Sequence, residues 1–230
     1  MAASLDGPRL APKGRAKQLV VFLHGYGADG NDLLAIGQQW QDFLPDTAFA
    51  APHAPEPCAQ APIGRQWFPL SLRDETELWP GVVRAQPVLD QFLDAELARY
   101  GLGDDRLALV GFSQGTMLAL HAGLRRKRAP AAILGYSGLL AGPEHLASAQ
   151  AKDGKGRPPP ILLAHGDQDE VIPVDAMFIA AEQLAEAGIP VQWHLALGIG
   201  HGIDGGGLLH GALFLAKSLG LPAPAPRGLG

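Results

Sequence analysis

Three kinds of side chain that can transfer an acyl group occur in this chain in an order that suits the chemistry: a serine, then an acidic group, then a histidine. The serine is Ser113, at the centre of Gly111-Phe112-Ser113-Gln114-Gly115. In a G-x-S-x-G turn between a strand and a helix, the backbone reverses so sharply that small residues must flank the nucleophile. The hydroxyl then stands at a helix N-terminus, where backbone N–H groups favour developing negative charge. The flanks agree: Leu107 to Val110 is a short apolar run, and Thr116 to Leu124 carries Met117, Leu118, Leu120, Ala122 and Leu124 as a buried helix would. A proton acceptor must follow. His201 lies in Gly198-Ile199-Gly200-His201-Gly202, flexible enough to curl an imidazole back towards Ser113, whereas His194 falls inside a strand and His210 inside a helix. Asp167, Asp169 and Glu170 compete as the acid. The strand before them ends at Ala164 or His165, and a few loop residues are needed to reach His201, which favours Asp169 and leaves Asp167 to hold the turn.

These groups need a scaffold, and the chain supplies one. Gln18–Leu23, Thr47–Ala51, Leu107–Val110, Ala131–Tyr136, Ile161–Ala164 and Val191–Leu195 read as buried strands. Between them fall a helix capped by Asn31 or Asp32 and carrying Leu33, Leu34, Ile36, Trp40 and Phe43, a helix over Gly81–Tyr100, one over Val174–Ala187 closed by Gly188, and a last one from about Gly207 to Leu219. Alternation at this spacing predicts an α/β fold with a mostly parallel central sheet and helices on both faces. In such a sheet the loops after the strands share one edge, so Ser113, Asp169 and His201 can meet. The expected organisation is an N-terminal arm over 1–17, one domain over 18–219 and a Pro/Gly-rich tail over 220–230.

Two further segments bear on the chemistry. The loop His24-Gly25-Tyr26-Gly27-Ala28-Asp29-Gly30 lacks any phosphate-binding pattern, so its expected task is to present an oxyanion-binding amide, that of Tyr26, opposite the amide of Gln114. The His24 side chain is read as structural. The long connection 63–80 carries Trp67, Phe68, Leu70, Leu72 and Trp79; either it walls an acyl-binding groove or its aromatics simply anchor it.

Composition excludes other classes. The chain has 230 residues, 47% of them hydrophobic, and a net charge of -5, which is no footprint for nucleic acid. The basic run Arg125–Arg128 is accounted for by helix-dipole complementarity and solubility. Cys58 is the sole cysteine, so neither an internal disulfide nor a cysteine-based metal cluster is expected. The N-terminus lacks a signal-like apolar core and no apolar stretch approaches spanning length, which suggests a cytoplasmic protein without membrane insertion.

Taken together, Leu23-His24-Gly25-Tyr26-Gly27-Ala28-Asp29, Trp67-Phe68, Gly111-Phe112-Ser113-Gln114-Gly115, His165-Gly166-Asp167-Gln168-Asp169-Glu170-Val171-Ile172-Pro173 and Gly198-Ile199-Gly200-His201-Gly202 resemble the acyl-protein thioesterase and phospholipase/carboxylesterase family of the α/β-hydrolase superfamily. The resemblance spans about residues 19 to 215. It implies a catalytic role for Ser113, Asp169 and His201, oxyanion binding by the amides of Tyr26 and Gln114, no cofactor, an acylated small-molecule substrate and a loose homodimer. Thr116 stands where many members have a second glycine. Tyr26 replaces the leucine common in eukaryotic members, which fits a general carboxylesterase better than a protein-depalmitoylating enzyme. The competing expectation is a non-catalytic binder of hydrophobic ligands or partners on the same fold.

Overall fold

The apolar runs become the strands of one seven-stranded sheet. The computed structural model describes residues 5–12, 14–58, 61–71, 75–149 and 157–222. In chain order its elements are β1 (Arg9–Leu10), β2 (Gln18–Leu23), α1 (Asn31–Trp40), β3 (Thr47–Ala50), β4 (Glu56–Pro57), β5 (Arg65–Gln66), α2 (Leu78–Tyr100), β6 (Leu107–Phe112), α3 (Gln114–Arg125), β7 (Ala132–Tyr136), β8 (Ile161–Gly166), α4 (Asp175–Glu186), β9 (Val191–Ala196) and α5 (Gly205–Ser218). The sheet order is β1-β3-β2-β6-β7-β8-β9; β4 and β5 form a separate two-stranded ribbon. Every neighbouring pair in the sheet is parallel except β1 with β3. Parallel strands covered on both faces must be apolar throughout rather than alternating, and β2, β6, β7 and β8 are buried almost residue for residue.

Two apolar layers sandwich this sheet. One packs Val82, Leu89, Leu93, Met117, Leu118, Met177 and Leu184 from α2, α3 and α4. The other packs Leu33, Ile36, Trp40, Phe214 and Leu215 from α1 and α5. Register sets a common edge: Leu23 pairs with Gly111, Phe112 with Tyr136, and Gly166 with Ala196. The loops after β2, β6, β7, β8 and β9 therefore all leave from the carboxyl side.

Several boundaries differ from the sequence reading for identifiable reasons. Helix α1 starts at Asn31 with Gly30, rather than Asn31 or Asp32, at its N-cap; Oδ1 of Asp29, one residue before the cap, accepts from the Asn31 amide at 2.7 Å. It ends at Trp40, and Phe43 sits in the following turn. Helix α2 starts at Leu78, not Gly81; Pro80 falls in its first turn, where a missing N–H costs nothing, so Trp79 is a helix residue rather than a loop one. Pro87 lies inside α2 on its solvent side, where Val83 is 43% exposed and water can satisfy the freed carbonyl. Strand β8 runs on through His165 and Gly166. In the arm, Arg9 and Leu10 add the antiparallel edge strand. Its anchor is the pair between Arg9 and the buried Glu96 at 2.9 Å. Leu72 of the long connection, residues 1–4 and 13 of the arm and residues 223–230 of the tail lie outside the described residues.

The basic run does more than complement a helix dipole. Arg126 is buried, its side chain 7% exposed, and reaches Asp90 at 2.9 Å, Asp94 at 2.6 Å and Asp104. Asp90 and Asp104 are largely shielded, at 31% and 17% exposed, whereas Asp94 is 69% exposed and water can take it over, so losing the guanidinium leaves two carboxylates short of partners. Arg126→Leu should therefore cost about 1.5–3 kcal/mol in urea unfolding. Arg128→Leu, at an exposed site, should stay within about 0.5 kcal/mol.

Candidate active site

Strand β6 delivers the chain into the turn at Ser113, which adopts φ 53° and ψ -117°. A non-glycine residue there carries strain of about 1–3 kcal/mol, and it persists only where the surroundings over-determine it. They do. A Cβ on Gly115 would sit 1.9 Å from the Leu23 carbonyl oxygen, and one on Gly111 would sit 2.4 Å from the Thr116 nitrogen. The Ser113 amide donates to the Tyr136 carbonyl at 2.9 Å, and the Ser113 carbonyl accepts from Thr116. The tight turn thus has its flanking glycines for a steric reason. Thr116, the departure noted above, donates its hydroxyl to the Tyr136 carbonyl at 2.8 Å. Its methyl occupies space that a Cβ on Gly135 or Gly138 would contest.

The other two groups arrive from β8 and β9. His201 Nδ1 lies 2.7 Å from Asp169 Oδ2. Because the carboxylate can only accept, Nδ1 carries the proton and Nε2 is left with a lone pair. The imidazole rests against Phe112, the residue before Ser113, with ring centroids 5.0 Å apart. Asp169 Oδ1 accepts from the amides of Val171 and Ile172, both at 2.9 Å. Burial by itself would raise the Asp169 carboxyl, but those two amides and the His201 N–H outweigh it and hold the group below the ordinary carboxylate value. Asp167 points elsewhere and accepts from the Gly198 amide at 2.6 Å, bracing the turn that carries His201.

The loop after β2 faces the same place. A Cβ on Gly25 would lie 3.3 Å from that of Ser113. Gly27 and Ala28 spend their amides on Arg65 and Gly25. Among the described residues, neither Tyr26 nor Gln114 spends its amide on an internal hydrogen bond, so both are free to meet an oxyanion. The Tyr26 phenol is pushed up to about 12 by its hydrogen bond with the Cys58 thiol and by burial. His24 is structural as expected: Nδ1 donates to the Gly25 carbonyl at 2.8 Å while Nε2 accepts from Ala54 at 3.0 Å, and burial lowers its pKa. Among the described residues no group of His, Cys, Asp and Glu is arranged to hold a metal ion.

Comparison with known proteins gives this geometry its context. The model of the phospholipase/carboxylesterase family matches residues 10–219. The chain belongs to that family. Acyl-protein thioesterase 1 of Schizosaccharomyces pombe is 31% identical over 180 residues, covering 75% of this chain and 78% of that protein. Esterase YpfH of Escherichia coli is 27% identical over 194 residues, covering 84% of this chain and 80% of its own length. The crystal structure of esterase PE8 superposes with a TM-score of 0.88 at 45% identity, covering 94% of this chain and 99% of that one. The protein is accordingly a hydrolase of carboxylic ester or thioester bonds.

In this esterase, the segment expected to wall a groove divides in two. Trp67 and Phe68 are 1% and 0% exposed and lie in the core. The Trp67 indole donates to the His24 carbonyl at 3.0 Å. Leu70 is also buried. Trp79 borders a cavity of about 620 Å³, together with Leu78, Leu139, Leu140 and Ile179. Its indole is fixed by stacking on His145 at 3.8 Å and by Arg125 over the ring at 4.9 Å.

Three roles were missed by the sequence reading. The Gln114 side chain accepts from the Trp67 amide at 2.9 Å and donates to the Phe68 carbonyl at 2.7 Å, clamping that segment to the elbow. Ser137, at φ 45°, donates to the Gly202 carbonyl at 3.1 Å and so holds the histidine loop. His165 donates Nε2–H to the Ile172 carbonyl at 2.8 Å and lies 3.1 Å from Asp169 Oδ2, so its ring braces the turn that holds that carboxylate. Its place in the His-Gly-Asp stretch was the available signal, but only the fold turns the ring onto Asp169. His165→Leu should lower kcat on the order of 10- to 100-fold with little change in KM. His165→Gln, which keeps an N–H near the Nε2 position, should restore most of it. Equal losses in both variants would reduce His165 to packing.

Proposed function

We propose that the protein is a serine carboxylesterase working through a Ser113–His201–Asp169 triad and an acyl-enzyme. The observation that carries this reading is the 2.7 Å bond between His201 and Asp169, set beside a nucleophile held at φ 53°. His201 Nε2 takes the hydroxyl proton as Ser113 Oγ bonds to the ester carbonyl carbon. Negative charge moves to the carbonyl oxygen, where the amides of Tyr26 and Gln114 receive it, each worth on the order of 10²–10³ in rate. As the intermediate collapses, the bond to the leaving oxygen or sulfur breaks and His201 protonates that atom. Water then attacks the acyl-enzyme with His201 again as base, releasing the carboxylic acid and restoring Ser113. Asp169 stays ionised, fixing the imidazole tautomer and stabilising the imidazolium.

The acyl chain is proposed to enter the Trp79 cavity, which borders the route from the nucleophile: Leu139 and Leu140 follow Gly138, where a Cβ would sit 2.9 Å from the Ser113 carbonyl oxygen. An apolar cavity of that size suits an alkyl acyl group. Relatives carry the names acyl-protein thioesterase and esterase, so both oxygen and sulfur leaving groups are within the reading. The test is labelling of the purified protein with a fluorophosphonate, followed by an acyl-length series of esters and thioesters. Adduct formation at Ser113 and turnover of the series support the reading. A protein that hydrolyses esters while Ser113 stays unlabelled overturns it.

A further inference from the structure

We infer that a second, smaller cleft receives the leaving group, and that it selects small apolar alcohols, neutral or cationic, over phosphate-bearing ones. The inference rests on the reaction proposed above. The cleft has a volume of about 190 Å³, about a third of the Trp79 cavity. Phe112, the same ring that touches His201, lines it. So do His24, Gly25 and Ala28 of the loop after β2, Gly202 and Ile203 of the histidine loop, and Leu33 of α1.

Two arguments assign it. The leaving atom must take its proton from His201 Nε2, since Nδ1 is committed to Asp169. The leaving group therefore lies along the imidazole, near the residues that follow His201 and those around the Tyr26 amide, and both segments line the cleft. The sheet also separates the cavities. Leu33, Phe112 and Ile203 belong to the apolar layer of α1 and α5, whereas Trp79, Leu139 and Leu140 belong to that of α2, α3 and α4. A tetrahedral intermediate on Ser113 directs its acyl and alkoxy substituents apart, so one cavity per face matches one substituent each. The cleft's charged lining residue is Asp32, which is exposed at the rim and repels an anionic headgroup.

The experiment measures kcat/KM for two ester series, acetates of ethanol, butanol and hexanol, and ethyl esters of acetic, butanoic and hexanoic acids. Ala28→Phe fills the cleft and should lower the hexyl-to-ethyl acetate ratio at least about tenfold. Leu33→Ala enlarges it and should raise that ratio several-fold. In both variants the ethyl hexanoate-to-ethyl acetate ratio should move by less than about threefold. If Ala28→Phe fails to fold, Leu33→Ala still tests the same ratio in the opposite direction. An alcohol series that does not respond, or an acyl series that responds instead, overturns the assignment while leaving hydrolysis intact. An absence of any turnover by the wild-type protein would instead sink the reaction itself. For charge, the ratio of acetylcholine to 3,3-dimethylbutyl acetate, which share a shape, should fall a few-fold in Asp32→Asn. An unchanged ratio removes the cationic preference.

Discussion

Ser113→Ala should lose ester hydrolysis on the order of 10⁶-fold while keeping the unfolding midpoint of the parent. The Ser113 side chain makes no structural hydrogen bond to the helix it starts. Its backbone contacts, from the amide to Tyr136 and from the carbonyl to Thr116 and Met117, survive the change. What disappears is the atom that bonds to carbon, leaving only the oxyanion amides and substrate binding. Ser113→Gly should be equally inactive and more stable, by about 1 kcal/mol or more, because glycine relieves the strain at φ 53° that serine and alanine both bear. Activity assays with thermal unfolding of both variants check this. A stability gain from alanine as large as that from glycine would mean that the strain lies in the side chain and not the backbone.

Asp169→Asn should lower kcat on the order of 10⁴-fold with near-parental stability, for a reason visible in its hydrogen bonds. Oδ1 accepts from two backbone amides, so the asparagine oxygen must take that place. The amide nitrogen is then forced to the Oδ2 position, facing the Nδ1–H of His201. Donor would confront donor. His201 relieves the clash by moving its proton to Nε2, which is the wrong tautomer for a base aimed at Ser113. Kinetics of Asp169→Asn across the pH range decide the matter. Activity within about tenfold of the parent would show that Asp169 is not orienting the imidazole.

How much of this was legible in advance depends on the range of the interaction. Strand and helix positions followed from local patterning, because parallel strands covered on both faces must be continuously apolar and the runs at Gln18, Leu107, Ala132 and Ile161 are. The elbow was legible for the same reason: Gly111 and Gly115 flank Ser113 within five residues, and their necessity is steric and local. The acid was narrowed by loop reach. The start of α2 was misread because a Trp-Pro pair among charges looks like a connection, while proline in a first turn is compatible with a helix.

What the chain's order determined, then, was which chemistry is available: a serine in a glycine-bounded turn, an acid and a glycine-loop histidine after later strands, and an alternation that allows one sheet. Tertiary structure decided which atoms meet. It buried Trp67 and Phe68 beneath the Gln114 amide while leaving Trp79 on a cavity wall, spent Arg126 on three aspartates, turned His165 onto Asp169 and opened clefts on opposite faces of the sheet. The side-chain contacts among these join residues from 4 to 47 positions apart, and the clefts gather segments much further apart along the chain. Their direction is fixed by the register of parallel strands and the packing of helices, quantities to which no local pattern refers.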